Sequence, residues 1–188
     1  MDSITLIIDY LQKSNAITVA VLIWLSLYFI MVNWIFLYRY IVLTFWLKRE
    51  KRSLESLKMG SKRVLMSSFL HHCSPSQKIT QESGDYCIFD ATQKSTKGLT
   101  FLSIAASTSP FIGLFGTVVS ILETFYILGK TKASITTISA SIGEALVATA
   151  AGILVAIFAY SYHLVLKRKA YEIISYLKMQ IDILLQYR

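Results

Sequence analysis

Apolar residues in this chain gather into long runs instead of recurring at the spacing of a core-facing helix or strand. Three windows exceed the roughly 20 residues that a bilayer core requires of a helix: about Ala16 to Tyr38, Leu99 to Leu128 and Ile138 to Leu166. They predict three membrane-spanning helices. Past Arg39 the stretch YIVLTFWL continues the first of them. From Lys48 to Phe69 the apolar Leu54, Leu57, Val64, Leu65 and Phe69 keep a roughly helical spacing, which predicts a long helix leaving the membrane. The segment HHCSPSQKITQESGD, His71 to Asp85, reads as a loop, and Tyr86 to Lys97 as a helix feeding directly into the second span. Beyond Lys167, apolar Ile173, Leu177, Ile181 and Leu184 are spaced by four, four and three, so the third span should continue as an amphipathic helix. Its apolar face would pack against helices of the same or a neighbouring subunit.

Charge orients these elements. The leader carries Asp2 and Asp9 with only Lys13, and no small-residue cleavage pattern follows the first apolar run, so this run is expected to be retained as a helix and not cleaved as a signal. Lys48 to Lys97 holds ten Lys or Arg against five acids, which places that segment in the cytoplasm and the N-terminus outside. Lys130 and Lys132 oppose the rule only mildly. The expected all-α organisation is then an outer N-terminus (1–15), a first transmembrane helix with its extension (16–47) and a cytoplasmic helical segment (48–98). The second span (99–128), an outer connection (129–137), the third span (138–166) and a cytoplasmic C-terminal helix (167–188) follow. The net charge of +8 does not argue for nucleic acid, because the basic residues sit next to membrane ends, where they anchor topology and meet anionic lipid. The GLFG at Gly113 to Gly116 lacks the lysine and the strand-to-helix setting of a phosphate loop.

Several candidate chemistries fail on spacing. Cys73 and Cys87 fall in the segment read as cytoplasmic, where thiols stay reduced, so no disulfide is expected. His71, His72 and Cys73 are adjacent and cannot converge on one metal ion from a regular helix. In YSYH, Ser161 and His163 are two residues apart, which on a helix points them about 200° from each other, so they form no hydrolytic dyad. Neither an enzyme nor a cofactor is expected.

What remains is polar chemistry inside the spans. On the second, Ser103, Ala106, Pro110, Gly113, Thr117, Ser120 and Thr124 alternate at +3 and +4, so one face is small or hydroxylated. On the third, Ala145, Thr149, Gly152, Ala156 and Ala159 form a small seam, beside a face carrying Ala140, Glu144, Ala148 and Ala151. Such seams let helices approach closely in lipid, and Pro110, Gly113, Gly116, Ser120, Ala145, Ala148 and Gly152 are the candidates for packing or for lining a pore. Glu144 asks for more than packing, since a carboxylate in the bilayer costs on the order of 3 kcal/mol on insertion scales. Thr117 lies 11 residues below Leu128, and Thr149 lies 11 below Ile138, so both threonines sit roughly 16 Å deep and can form one polar layer. Glu123, near the outer interface, reads as structural, by snorkelling or by pairing with Lys130 or Lys132.

SPFIGLFGTV followed by GEALVATAAGILVAI resembles the paired signature of the MotA/TolQ/ExbB proton-channel family, over about Ser103 to His163 in detail and elsewhere in layout. Three spans and an outer N-terminus fit its TolQ and ExbB branches, and the TSP before FIGLFG and the DYLQKS leader lean toward TolQ. The resemblance implies a homo-pentameric ring in the inner membrane of a Gram-negative cell, with a periplasmic N-terminus and a cytoplasmic C-terminus. The ring would enclose a TolR- or ExbD-like dimer with one transmembrane helix per subunit. Proton flow would drive work on a TolA- or TonB-like protein, for envelope integrity (Tol-Pal) or outer-membrane transport. The family's membrane glutamate maps to Glu144, and its pore-lining threonines map to Thr117 and Thr149. Where relatives carry Pro-Gly before that glutamate this chain has Ala140-Ser141, and a later proline is Phe158, so a straighter third span is implied. A non-conducting scaffold, a small-solute channel and a membrane hydrolase are the competing readings. They differ in whether Glu144→Gln is tolerated, whether a partner is needed and whether His163 matters.

Overall fold

The structure, a computed structural model, describes residues 16–61, 64–73, 80–130 and 135–186, and of residues 16, 135–138 and 140 the backbone alone. The expected outer N-terminus and residues 131–134 of the outer connection, Lys132 among them, therefore lie outside the described residues. All regular elements described are helices: α1 (Ala16–Lys58), α2 (Phe69–Cys73), α3 (Gln81–Thr96), α4 (Leu99–Lys130) and α5 (Ile135–Gln186). Three of them, α1, α4 and α5, are long and apolar enough to cross a membrane. The third span and the C-terminal amphipathic segment are one unbroken helix of 52 residues, in keeping with the absence of proline along it.

Four expectations need correction. The helix leaving the first span stops at Lys58 and does not continue to Phe69. Gly60 takes φ +94°, a left-handed conformation that glycine adopts without steric cost, and the amides of Met59, Gly60 and Ser61 turn back to the carbonyls of Glu55, Leu57 and Ser56. The segment read as a loop from His71 to Asp85 is helical at both ends, since α2 runs to Cys73 and α3 begins at Gln81. Thr80 caps α3: its hydroxyl accepts from the Ser83 amide while the Ser83 hydroxyl accepts from the Thr80 amide. Nor does α3 feed straight into the second span, because Gly98 at φ +88° breaks the path between them. Finally, Cys73 and Cys87 are joined as a disulfide, with Cα atoms 5.8 Å apart. The expectation of free thiols rested on compartment, whereas the fold sets the end of α2 beside the buried Cys87 of α3.

The described residues divide into two compact units. One takes in those of 16–34 and 101–161, the other those of 35–100 and 162–186. In the second unit the apolar stripe of the α5 tail is buried at Ile173, Leu177 and Ile181, and Leu54, Leu57, Leu70, Cys87 and Ala91 are buried with it. A polar clasp sits in that core. Glu50, fully buried, accepts from Trp46 Nε1 (3.2 Å), the Phe69 amide (2.8 Å), Ser68 Oγ (2.8 Å) and Gln180 Nε2 (3.0 Å), and Ser53 Oγ donates to Gln180 Oε1 (3.0 Å). It ties α1, the segment leading into α2, and the end of α5 together. Arg39 closes the C-terminus of α3 by donating from Nη2 to the carbonyls of Lys94 (2.9 Å) and Ser95 (2.7 Å), which otherwise lack helical donors.

In the first unit α1 runs antiparallel to α4: Tyr28 meets Thr108 at 3.4 Å and the Phe101 ring at 5.8 Å, while Val21 lies against Gly116, farther along α4. Phe29 packs edge-on to Phe158 of α5 at 5.5 Å.

Candidate functional site

The first unit is held at its centre by an approach too close for side chains. A Cβ at Gly152 would fall 2.5 Å from the Ser109 carbonyl oxygen and 3.1 Å from the Gly113 Cα, and one at Gly113 would fall 2.7 Å from the Ala148 carbonyl oxygen. Two facing glycines therefore set the spacing of α4 and α5, as small residues do where lipid offers no hydrophobic push. Gly116 extends the contact to α1, since its Cβ would meet Val21 Cγ1 at 3.1 Å and Ala148 Cβ at 3.2 Å.

One turn beyond this contact the hydroxyls of Thr117 and Thr149 meet in a hydrogen bond. Thr117 Oγ1 also lies 3.2 Å from the Ala145 carbonyl and 3.3 Å from that of Gly113, and Thr149 Oγ1 lies 3.2 Å from the latter. Equal depth, counted along the two spans, thus becomes direct contact. Each hydroxyl can accept a hydrogen bond on a lone pair while donating its own. Thr117 is only 9% exposed, so its hydroxyl looks at the neighbouring helix and not at open space.

The other candidates divide. Ser120, Ala145 and Ala148 are buried and pack, as do Gly113, Gly116 and Gly152. Pro110 lies inside α4 and is half-buried; it has no N–H to offer the carbonyl of Ala106. Ser103 is exposed, and with Ala106, Ser107, Ala156, Ile157 and Tyr160 it lines a groove of about 430 Å³. Glu144 is partly buried. It precedes Thr149 by five residues, which turns it about 140° away from the threonine, so it flanks the pair instead of touching it. Glu123, expected to be satisfied by snorkelling or by pairing with Lys130 or Lys132, does not pair with Lys130: that ammonium donates to the Tyr126 hydroxyl and lies 4.2 Å over its ring, and Lys132 lies outside the described residues. Ser161 donates to the Ile157 carbonyl at 2.8 Å, and His163 Nδ1 contacts the Leu99 carbonyl at 3.1 Å.

Reading the sequence for a small-residue face missed two residues. The buried edge of α4 runs through Leu102, Ala105, Ser109, Gly113, Gly116 and Ser120, rotated by about one residue from the stripe through Ser103, Ala106 and Pro110. That alternative +3/+4 series was present in the sequence and would have found Ser109. Thr18 on α1 is 1% exposed; its spacing of seven from Leu25, and of seven again to Val32, both buried, was the available signal.

Comparison with known proteins converges on the same helices. A model of the MotA/TolQ/ExbB proton channel family matches residues 60–179. The chain is 44% identical over 182 residues to the biopolymer transport protein ExbB-like 1 of Helicobacter pylori, covering 95% of this chain and 96% of that one. Shorter matches include the biopolymer transport protein ExbB of Neisseria gonorrhoeae, 51% identical over 61 residues (32% of this chain, 28% of that one). The Tol-Pal system protein TolQ of Pseudomonas aeruginosa is 44% identical over 66 residues (35% and 29%).

Proposed function

The chain belongs to the MotA/TolQ/ExbB proton channel family, and from that premise we propose that it is the proton-conducting subunit of an inner-membrane motor of the ExbB–ExbD or TolQ–TolR type. Such a motor takes up protons from outside and uses their passage to do work on a TonB- or TolA-like protein. Within that pair of types, the near full-length similarity to an ExbB-like biopolymer transport protein favours the ExbB form.

The observation that carries the reading is the hydrogen-bonded threonine pair between two apolar spans. A structural seam has no need of hydroxyls where alanines would pack, whereas a proton path needs groups that both accept and donate. In this reading Glu144 supplies the group that changes charge, and an acid from a partner helix completes the path that one carboxylate and two hydroxyls leave short. The subunit would assemble as a ring around a dimer of single-helix partners, with the N-terminus in the periplasm and the C-terminus in the cytoplasm.

The test is proton uptake into vesicles holding the complex purified from native membranes, together with complementation of a strain lacking the gene. Glu144→Gln keeps size and hydrogen bonding but cannot ionise, and should bring uptake to background with assembly intact. Thr149→Val, nearly isosteric but unable to relay, should slow it by about a hundredfold. Full uptake and full complementation by the glutamine variant at normal protein level would leave the scaffold reading in its place.

A further inference from the structure

Where α1 leaves the apolar run, one of its faces carries Leu37, Ile41 and Phe45 at steps of four, with Val42 beside them, and all four side chains are exposed. The next step of four on that face is Arg49, and the apolar run ends just before it, at Leu47, where the basic stretch KREKR begins. One face of one helix therefore passes from apolar to cationic surface at the end of a span, over about 12 Å from Ile41 to Arg49.

Along this face the second unit forms a cavity of about 480 Å³, a size usual for small-molecule sites. Ile41, Val42 and Phe45 give it an apolar side. Three helices each add one basic side chain to its lining: Arg49 from α1, His72 from α2 and Lys94 from α3, all exposed. Their backbones are held in place. Arg49 adjoins the clasped Glu50, His72 adjoins the Cys73–Cys87 link to α3, and the Lys94 carbonyl accepts from Arg39. The Lys94 ammonium lies 5.1 Å over the Phe69 ring and donates to Asp90 at 2.9 Å, which uses one of its three N–H groups. Arg49 makes no hydrogen bond or ion pair with another described residue. Glu50 is the acid of the lining, and its two oxygens already accept from four donors. A surplus of donors is left for an anion: a guanidinium, two ammonium N–H groups and an imidazole N–H.

We propose that this cavity is a binding site for an anionic phospholipid, with its phosphate held by Arg49, His72 and Lys94 and the start of an acyl chain lying along Ile41, Val42 and Phe45. A guanidinium presents a fork of N–H donors that matches phosphate oxygens, and an ammonium adds a point charge. The apolar side selects a lipid over a soluble anion. Free phosphate would gain nothing from Ile41 and Phe45, whereas these residues continue, through Leu37, the exposed surface of a helix apolar enough to cross a membrane. Trp46, also in the lining, is of the residue type that gathers at the level of lipid headgroups. All of the site's residues belong to the second unit and none to the proposed proton path, so the proposal does not depend on proton conduction.

Native mass spectrometry of the full-length protein, stripped of lipid in detergent and titrated with phosphatidylglycerol, tests this. Phosphatidylglycerol should bind about tenfold more tightly than phosphatidylcholine, whose phosphate is neutralised by its own quaternary ammonium. Arg49→Gln and Lys94→Gln should each weaken it by about five- to tenfold, and Phe45→Ser should weaken it as well. Lys51→Gln, exposed on the same basic stretch but outside the lining, should leave it unchanged. A second measurement locates the lipid. With Trp24 and Trp34 replaced by phenylalanine, brominated phosphatidylglycerol should quench Trp46, and Arg49→Gln should relieve the quenching. Equal binding of the two lipids, or equal effects of Lys51→Gln and Arg49→Gln, would reduce the observation to general charge attraction and overturn the site. Displacement of the lipid by glycerol phosphate at the same concentration would make a free anion the occupant and overturn the lipid. Quenching of Trp46 that is absent, or indifferent to Arg49→Gln, overturns the placement.

Discussion

A buried carboxylate is stable only when its lone pairs are met. Glu50 is surrounded by four donors from three segments, so removing it exposes their cost: Glu50→Ala leaves the Trp46 indole N–H and the Phe69 amide without acceptors, and leaves Ser68 Oγ only Gln180 Oε1 and Gln180 Nε2 only the carbonyl of residue 50. We expect that change to lower stability by about 3 kcal/mol or more. Glu50→Gln should lose less, and Gln180→Leu an intermediate amount, read as thermal unfolding in detergent. Equal midpoints for all three variants and the parent would show that the clasp contributes nothing. None of this was legible in the sequence, where Glu50 is one acid within the basic run KREKR and its partners lie up to 130 residues away. Thr117 and Thr149 were legible, because depth in a bilayer can be counted from the ends of two apolar runs. Rotation about the helix axis was harder: stripes one residue apart are both small on α4, and only packing against α5 and α1 distinguishes Ser109 from Pro110.

At the scale of elements, the membrane helices follow from apolar run length, but their ends do not. Gly60 and Gly98 stop helices through backbone conformations that hydropathy does not register, and the junction between α3 and α4 was accordingly read as continuous. The Cys73–Cys87 link was missed for a similar reason: a rule about compartments carries no information about which helix lies beside which. Glycines inside the spans give the sharpest element-level prediction, since their surroundings differ. Gly152→Ala forces a methyl within 2.5 Å of the Ser109 carbonyl oxygen and against the Gly113 backbone, where neither neighbour can give way by changing rotamer. The helices must separate, which we expect to cost about 1 to 3 kcal/mol, to part the threonine hydroxyls and to reduce proton uptake. At Gly143, on the same helix, an added Cβ meets nothing within 4 Å. Gly143→Ala should keep or raise stability, by up to about 1 kcal/mol from helix propensity. Paired melting curves and uptake rates check the contrast; equal effects of the two alanines would remove the role assigned to the glycine contact.

For the whole molecule the decisive quantity is what the chain leaves uncovered. In the most apolar window of each span only 17%, 22% and 28% of positions are buried by the chain itself. Part of the remainder suits lipid: Trp24, Trp34, Phe111, Phe115 and Leu122 are large, apolar and more than half exposed. Another part does not. Ser103, Ser107, Gly143 and Ala150 are exposed within the same spans, and small or hydroxylated surface in a bilayer is the kind that other helices or water cover. A single copy would leave these surfaces facing hydrocarbon with nothing to gain from their small size, so association with further copies and with a partner helix is the arrangement they favour. Native mass spectrometry of the protein extracted in mild detergent should therefore give a multiple of 21.3 kDa, with additional mass from a bound partner when the extraction starts from native membranes. Enlarging one of these exposed small positions, as in Ala150→Trp, should shift the distribution to smaller species while leaving the chain's own helix content unchanged by circular dichroism. A parent that appears only at 21.3 kDa, under conditions that keep other membrane complexes whole, would mean that the small surfaces serve something other than assembly.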